Sequence, residues 1–157
     1  MERTSGNVGI IVAIIIALVI FSMVAISLPR SQPIASLNAD ISPKSFNTSQ
    51  LATLTTNLEN HDQRKPHGIR LRFITYESVH LLLGTNEITK EAQESGNYTY
   101  DLVMQPGQKI EQPFNVIVLT LPTGISKQEF SMTIQIFIDG KIEQSLEREI
   151  TFEVREH

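Results

Sequence analysis

The sequence contains no cysteine and no tryptophan among its 157 residues. Without cysteine there is no disulfide scaffold, no thiolate zinc site, no thiol nucleophile and no cupredoxin-type copper centre, which needs a Cys ligand. Aromatic residues are scarce at 6%, and basic residues are outnumbered, 13 Lys+Arg against 17 Asp+Glu. That acidic balance argues against a nucleic-acid partner. The chain has no Gly-x-Ser-x-Gly elbow and no Gly-rich phosphate loop. Its carboxylates fall mostly at alternating positions that face water, so no pair is set up for glycoside hydrolysis. His61, Asp62 and His67 lie close together in a polar stretch, but without the spacing or the third anchored ligand of a metal site. His80 alternates with apolar neighbours and reads as a strand residue, and Met104 and Met132 read as core filler. The expectation is a non-enzymatic chain with no metal and no cofactor.

What is present is unevenly distributed. Residues 8–27, VGIIVAIIIALVIFSMVAIS, are twenty consecutive positions without a charge. In a helix they span about 30 Å, the thickness of a bilayer's hydrocarbon core. Thirteen of residues 8–26 are Val, Ile, Leu or Phe, which favours insertion by about 4 to 8 kcal/mol. In lipid the backbone has no other partner, so a lone span must be helical. A cleaved signal peptide is the competing reading, since Ala25 and Ser27 fit a small-x-small cleavage site. The apolar run exceeds an ordinary signal core, which favours an uncleaved anchor. Gly9, Ala13 and Ala17 recur every four residues and form a small-residue stripe that permits close helix packing. Arg3 and Arg30 nearly balance the two flanks. Two N-glycosylation sequons, at Asn47 and Asn97, favour placing the larger part outside the cell membrane.

Beyond this run, Pro29, Pro33 and Pro43 among serines predict an extended stalk, and residues 28–67 are expected to act as linker. Within it Leu51, Leu54 and Leu58 have helical spacing and predict a short helix. HDQRKPH, residues 61–67, is a polar loop and the expected boundary of a domain over 68–157.

From Gly68 onward the period is two. Ile69, Leu71 and Phe73 make one half-buried strand, Val79–Leu83 a second, and Tyr98, Tyr100, Leu102 and Met104 a third. Phe114, Val116 and Val118 alternate with Ile117 and Leu119, so both faces are apolar, as in a central strand covered on both sides. Phe130, Met132, Ile134, Ile136 and Ile138 lead into Asp139-Gly140, the pair that favours a type I′ hairpin turn. Ile142, Leu146, Ile150, Phe152 and Val154 then share one parity, with a break expected near Glu147-Arg148. About seven short strands, without a helix between them, predict an all-β, immunoglobulin-like β-sandwich preceded by one N-terminal transmembrane α-helix. From Pro106-Gly107 through Phe114-Asn115-Val116 to Ile138-Asp139-Gly140-Lys141, the chain resembles disulfide-free members of that class, such as fibronectin type III and adhesion-type domains of bacterial and archaeal surface proteins. The resemblance implies fold only, with a core of aliphatic side chains.

Two charge clusters are candidate partner-binding patches: Arg64, Lys65, Arg70 and Arg72 at the start of the domain, and Glu143, Glu147, Glu149 and Glu153 at its end. If first and last strands are neighbours, the clusters pair with each other. The expected function is that of a single-pass membrane accessory protein whose outside sandwich contacts a surface or complex partner. Its layout resembles that of archaellum stator proteins, which carry one N-terminal span and an outer β-sandwich. Two alternatives stand beside it. One is a filament subunit of the pilin or archaellin type, with Gly6 as processing site. The other is a small non-catalytic subunit of a membrane enzyme complex, packing through Gly9, Ala13 and Ala17.

Overall fold

The computed structural model describes residues 33–90 and 96–157. The expected tail over 1–7, the membrane helix over 8–27 with its Gly9-Ala13-Ala17 stripe, and residues 28–32 of the stalk lie outside the described residues. Among the described residues, no helix is long and apolar enough to cross a membrane.

The chain forms β1 (Ala35–Ser42), β2 (Ser45–Asn47), β3 (Leu51–Asn60), β4 (His67–Ile74), β5 (Val79–Leu83) and β6 (Asn86–Glu87). There follow β7 (Thr89–Lys90), β8 (Asn97–Met104), β9 (Lys109–Val118), β10 (Lys127–Ile138), β11 (Lys141–Ile142) and β12 (Arg148–Arg155), with a 3₁₀ turn at Gln144–Leu146. One sheet has the order β1-β3-β9-β5-β6; the other has β2-β12-β10-β4-β8-β7, with β11 paired to the end of β10. The two pack face to face as the expected immunoglobulin-like sandwich.

The alternating residues of the second half fall where their period places them. Phe130, Met132, Ile134, Ile136 and Ile138 are buried on β10, and Ile150, Phe152 and Val154 on β12. Asp139 and Gly140 have φ of 49° and 80°, the two positive values a type I′ turn demands. Pairing to β10 breaks off between β11 and β12, over residues 143–147, as expected.

The first half corrects the expectation. Residues 35–60 are not a stalk and contain no helix; they supply β1, β2 and β3, and the compact unit begins at Pro33. On β3 the inward side chains are Ala52, Leu54, Thr56, Leu58 and Asn60, while Leu51 is 56% exposed. The apparent helical spacing therefore mixed one outward leucine with two inward ones. β9 is central, between β3 and β5, but its outer face is open: Ile117 is half-buried and Leu119 is exposed.

Aliphatic packing is supplemented by two aromatic groups. Phe114 meets Phe73 and Tyr100 edge-on, with centroids 5.0 and 5.2 Å away. Phe152 stacks between Phe46 and Phe130 at 5.6 and 5.7 Å. Such pairs contribute about 0.5–1.5 kcal/mol each beyond the area they bury. The buried Tyr98 hydroxyl donates to the Val79 carbonyl at 3.0 Å and ties the sheets together.

The sandwich has two distinct ends. At one, the chain enters β1, and the His61 amide bonds the Ile34 carbonyl at 2.8 Å; the β3–β4 loop, the β8–β9 turn and the Asp139-Gly140 turn gather there. At the other, the Ser49 amide bonds the Val118 carbonyl at 2.9 Å, and the Glu156 amide bonds the Ser126 carbonyl, also at 2.9 Å. The eight residues of β4 separate the ends by about 26 Å.

Candidate functional site

At the chain-entry end, the outer face of the larger sheet carries a groove. Its lining includes Gly68, Arg70, Asp101, Val103, Phe137 and Asp139, with a volume of about 550 Å³. Strand register explains it. Gly68 sits opposite Val103, and the Asp139 amide donates to the Gly68 carbonyl at 2.8 Å. One step along, Asp101, Arg70, Phe137 and Ile142 form a row across four strands. Gly68 leaves the middle of this surface without a side chain. A Cβ there would meet only the Asp139 Oδ1 atom, at an ordinary 3.7 Å. The hollow is thus a gap in the side-chain layer; Val103, 61% exposed, lines it, and Ile142, 41% exposed, stands beyond Phe137 on the same face.

The charges beside the hollow are paired. Arg70 grips Asp101 with Nε and one terminal nitrogen, at 2.7 and 2.9 Å. This bidentate bond, before any other influence, holds the Asp101 carboxyl below the usual range. Asp139 accepts from the Gly68 amide at 2.9 Å and bonds His67 Nδ1 at 2.7 Å.

His67 lies behind the groove and is buried. Its Nε2 meets Asp62 Oδ2 at 3.1 Å, so each ring nitrogen faces a carboxylate. Neither carboxylate can donate when ionised, so both nitrogens must, and the ring is an imidazolium. The bond to Asp139 is the main influence raising the His67 pKa, against the opposing effect of burial. Asp62 in turn accepts the amides of Arg64 and Lys65 at 2.8 and 3.2 Å. The Arg64 amide bond and then the His67 bond lower its pKa. Asp139 is lowered chiefly by His67, then by the Gly68 amide. His67 and Asp62 are thus a structural clamp between the β3–β4 loop and the β10–β11 turn. The buried Asn60 completes it: its Nδ2 donates to the Lys65 and Gln105 carbonyls at 3.2 and 3.0 Å, and its Oδ1 accepts the Asp62 amide at 3.0 Å.

The two charge clusters do not face each other. β4, which carries Arg70 and Arg72, is separated from β12 by β10. Arg70 turns to Asp101 on β8, and Arg72 stands in register with Gln135 and Thr99. Arg64 and Lys65 lie exposed on the β3–β4 loop. Among the glutamates, Glu143 accepts from the Ser145 hydroxyl at 2.7 Å, Glu147 accepts from Gln135 at 2.9 Å, and Glu149 is exposed opposite Thr133. Glu153 is held by Lys127, Arg155 at 2.7 Å and Ser45 at 3.1 Å, which depress its carboxyl to about 2, Lys127 most of all. Of the sequon residues, Asn97 is buried at 5% exposure and Asn47 is half-buried.

No family model matches the chain, and no curated protein is similar to it in sequence. Among solved structures it is similar to a chain of a type I cohesin–dockerin complex from Clostridium thermocellum, at 8% identity and a TM-score of 0.52, over 79% of this chain and 95% of that one. A non-cellulosomal cohesin from the archaeon Archaeoglobus fulgidus matches at 15% identity and a TM-score of 0.44, over 80% of this chain and 92% of that one. The DNA-bound alkylpurine DNA glycosylase AlkC of Pseudomonas fluorescens matches at 11% identity and a TM-score of 0.48, over 78% of this chain but only 30% of the glycosylase. The first of these likenesses carries the fold, an all-β immunoglobulin-like sandwich, and at 8% identity it carries nothing more.

Proposed function

We propose that this chain is a membrane-tethered, extracytoplasmic accessory protein that binds a protein partner through the groove on its larger sheet. The observation that carries the binding site is the hollow over Gly68, with Val103 left exposed in its lining. A single exposed apolar side chain is ordinary. Here it borders a concavity of about 550 Å³, within the range of binding pockets, and a buried side chain seated in such a pocket dominates many interfaces. The tether rests on the uncharged run over residues 8–27. The outside location rests on the sequon at Asn47 and on the size of the part beyond the run.

The test fills the hollow. Val103 lines the groove. The chain has no native cysteine, so a photoreactive group on the thiol of Val103→Cys serves as the reporter in intact membranes. The Val103→Cys chain, alone or with Gly68→Ala, is expected to yield adducts to a second polypeptide. Adding Gly68→Val, whose branched side chain occupies the floor, is expected to lose them while retaining the wild-type circular dichroism. Undiminished adducts in a folded Gly68→Val protein would overturn the assignment.

A further inference from the structure

Beside the groove the larger sheet is unfinished. β4 pairs with β8 along its whole length, but on the other side β7 covers only Tyr98 and Thr99. Among the described residues, nothing pairs with residues 100–104 on that side. The ladder fixes which backbone groups are left open. The Thr75 amide donates to the Gly96 carbonyl at 2.9 Å, one step beyond the last pair of β4 and β8. Bonded and non-bonded pairs alternate in an antiparallel ladder, so even-numbered residues of β8 turn their N–H and C=O groups to β4. Gly68, opposite Val103, turns its carbonyl to the Asp139 amide instead, which gives the same parity. Asp101 and Val103 therefore aim their main-chain groups at the open side, and both also line the groove.

Other open edges of the fold are guarded. An unpaired strand edge invites an added strand, and charges or proline discourage one. β5 covers only residues 115–118 of β9, and the uncovered part carries Lys109, Glu111 and Pro113. β2 covers only residues 153–155 of β12, and the uncovered part carries Arg148 and Glu149. β1 lies between Pro33 and Pro43 and turns Ser36, Asn38 and Asp40 outward. Residues 100–104, YDLVM, hold no proline and a single charge, which Arg70 already neutralises with a bidentate bond. Val103 is the most exposed large apolar side chain among the described residues, and Tyr100 and Leu102 are only half-buried.

We infer that the groove's partner binds by adding a strand: an extended, uncharged segment of a different protein pairs with Asp101 and Val103 along β8. This rests on the groove being a partner site, and it states the form the occupant takes. Each of the two residues offers one N–H and one C=O, which an extended backbone satisfies and a folded surface does not. Alternate side chains of the added strand fall on opposite faces. A large apolar one beside Val103 reaches toward the hollow over Gly68, and its neighbour covers Leu102. A second copy fits less well, because β8 paired antiparallel with itself about Leu102 sets each Asp101 beside the apolar Val103 of the other copy. The open edge lies at the end where the chain enters β1, and only residues 28–34 separate β1 from the uncharged run. That is at most about 25 Å of extended chain, so with the proposed tether the segment belongs to a protein anchored in the same membrane.

The test compares two replacements of Asp101 in the full chain, in intact membranes, with the photoreactive group on Val103→Cys as reporter. Both replacements lose the carboxylate, and neither removes a main-chain bond to β4. Only proline loses the amide that faces the open edge, and its ring stands in the path of an added strand. Asp101→Ala is expected to keep the adducts to a second polypeptide within about twofold, and Asp101→Pro to lower them about tenfold or more, both with wild-type circular dichroism. Undiminished adducts in a folded Asp101→Pro chain would overturn strand addition and leave the groove as a partner site. An equal loss in Asp101→Ala would also overturn it, since the carboxylate and not the backbone would then hold the partner. Adducts composed of this chain alone would overturn the assignment to a different protein, and no adducts from Val103→Cys itself would refute the groove as well. Hydrogen exchange in the unsubstituted chain gives a measure independent of any variant's folding. The Asp101 and Val103 amides are expected to exchange about tenfold or more slowly in intact membranes than in the chain purified away from its partner; equal rates would overturn the inference.

Discussion

Replacing His67 with leucine tests the clamp behind the groove. The histidine is 7% exposed and bonds Asp139 at 2.7 Å and Asp62 at 3.1 Å. Leucine has similar bulk, so little cavity forms and the loss is mainly of two charge-assisted hydrogen bonds. Each such bond is worth about 1.5–3 kcal/mol when its partners are shielded. Here the acceptors are accessible: the Asp139 side chain is 58% exposed and that of Asp62 28%. Water therefore replaces part of what is lost, and the two bonds together should cost about 2 kcal/mol. For a unit of this size that is about 8 °C in Tm. The pH dependence is the sharper signature. The folded pKa of His67 lies above its ordinary 6.5, so its stabilisation is complete below that value and is lost as pH rises through the folded pKa. Asp62 and Asp139 are shifted below their ordinary 3.8, so their share is present above that value and disappears as pH falls through their folded pKa values. The difference in unfolding free energy between wild type and His67→Leu should hold level from about pH 4 to 6.5 and shrink above it. Urea unfolding followed by circular dichroism across about pH 4.5–9 measures it. A difference that stays flat to the alkaline end of that range, or grows, would refute the doubly bonded imidazolium.

Two further substitutions probe other points of the frame. Gly96→Ala should destabilise severely, because φ is +87° and a Cβ would lie 2.3 Å from the Thr75 carbonyl oxygen; thermal melts that match wild type would show that this backbone approach is wrong. Asn60→Ala removes the group that bonds the Lys65 and Gln105 carbonyls and the Asp62 amide, and it should cost about 2–3 kcal/mol in urea unfolding, with hydrogen exchange rising first at the Asp62 amide. A loss below about 0.5 kcal/mol would mean water substitutes freely there.

The second half of the sandwich is readable in the sequence because its strands alternate large apolar residues with polar ones. β10 runs from Phe130 to Ile138 without a break in parity, and Asp139-Gly140 has a backbone conformation few other pairs adopt. β1 and β3 were hidden for a physical reason. Their inward positions hold Ala35, Ala39, Ala52, Thr56 and Asn60 beside the leucines, so the period-two signal is diluted, and Pro33 and Pro43 suggest a linker. The thread that could have revealed them is parity at 35, 37, 39 and 41, together with the threonines of 53–56, which suit a pleated surface. Asn60 is inward because its amide satisfies backbone carbonyls of Lys65, Met104 and Gln105, a role no periodicity announces. The candidate site was invisible for another reason. Gly68, Val103 and Phe137 come from three strands, and His67 and Asp139 are 72 positions apart. Only strand order brings them together.

Gly68 links the stability argument to the functional one. A glycine within a strand weakens it by about 0.5–1 kcal/mol relative to alanine. Nothing in the backbone at Gly68 demands glycine: its φ is not positive, and a Cβ would meet only an ordinary contact. The fold thus gives up stability at the one place where a side chain would fill the hollow. Asp139, bonded to the Gly68 amide and fixed by His67, forms the opposite wall. The clamp and the groove are therefore one construction, and a perturbation of the first must reach the second. In His67→Leu the Asp139 turn keeps its bond to the Gly68 amide but loses its buried anchor. Photocrosslinking from Val103→Cys to the partner in the groove should then fall in the His67→Leu background at neutral pH, even though no residue lining the groove has changed. In the wild-type histidine background, the yield should fall as pH rises through the folded pKa of His67, which lies above its ordinary value. A decline in yield toward alkaline pH, corrected by the same photoreactive group at an unrelated surface position, would trace to the clamp. A yield indifferent to both His67 and pH would separate the two and leave the glycine as a feature of the groove alone.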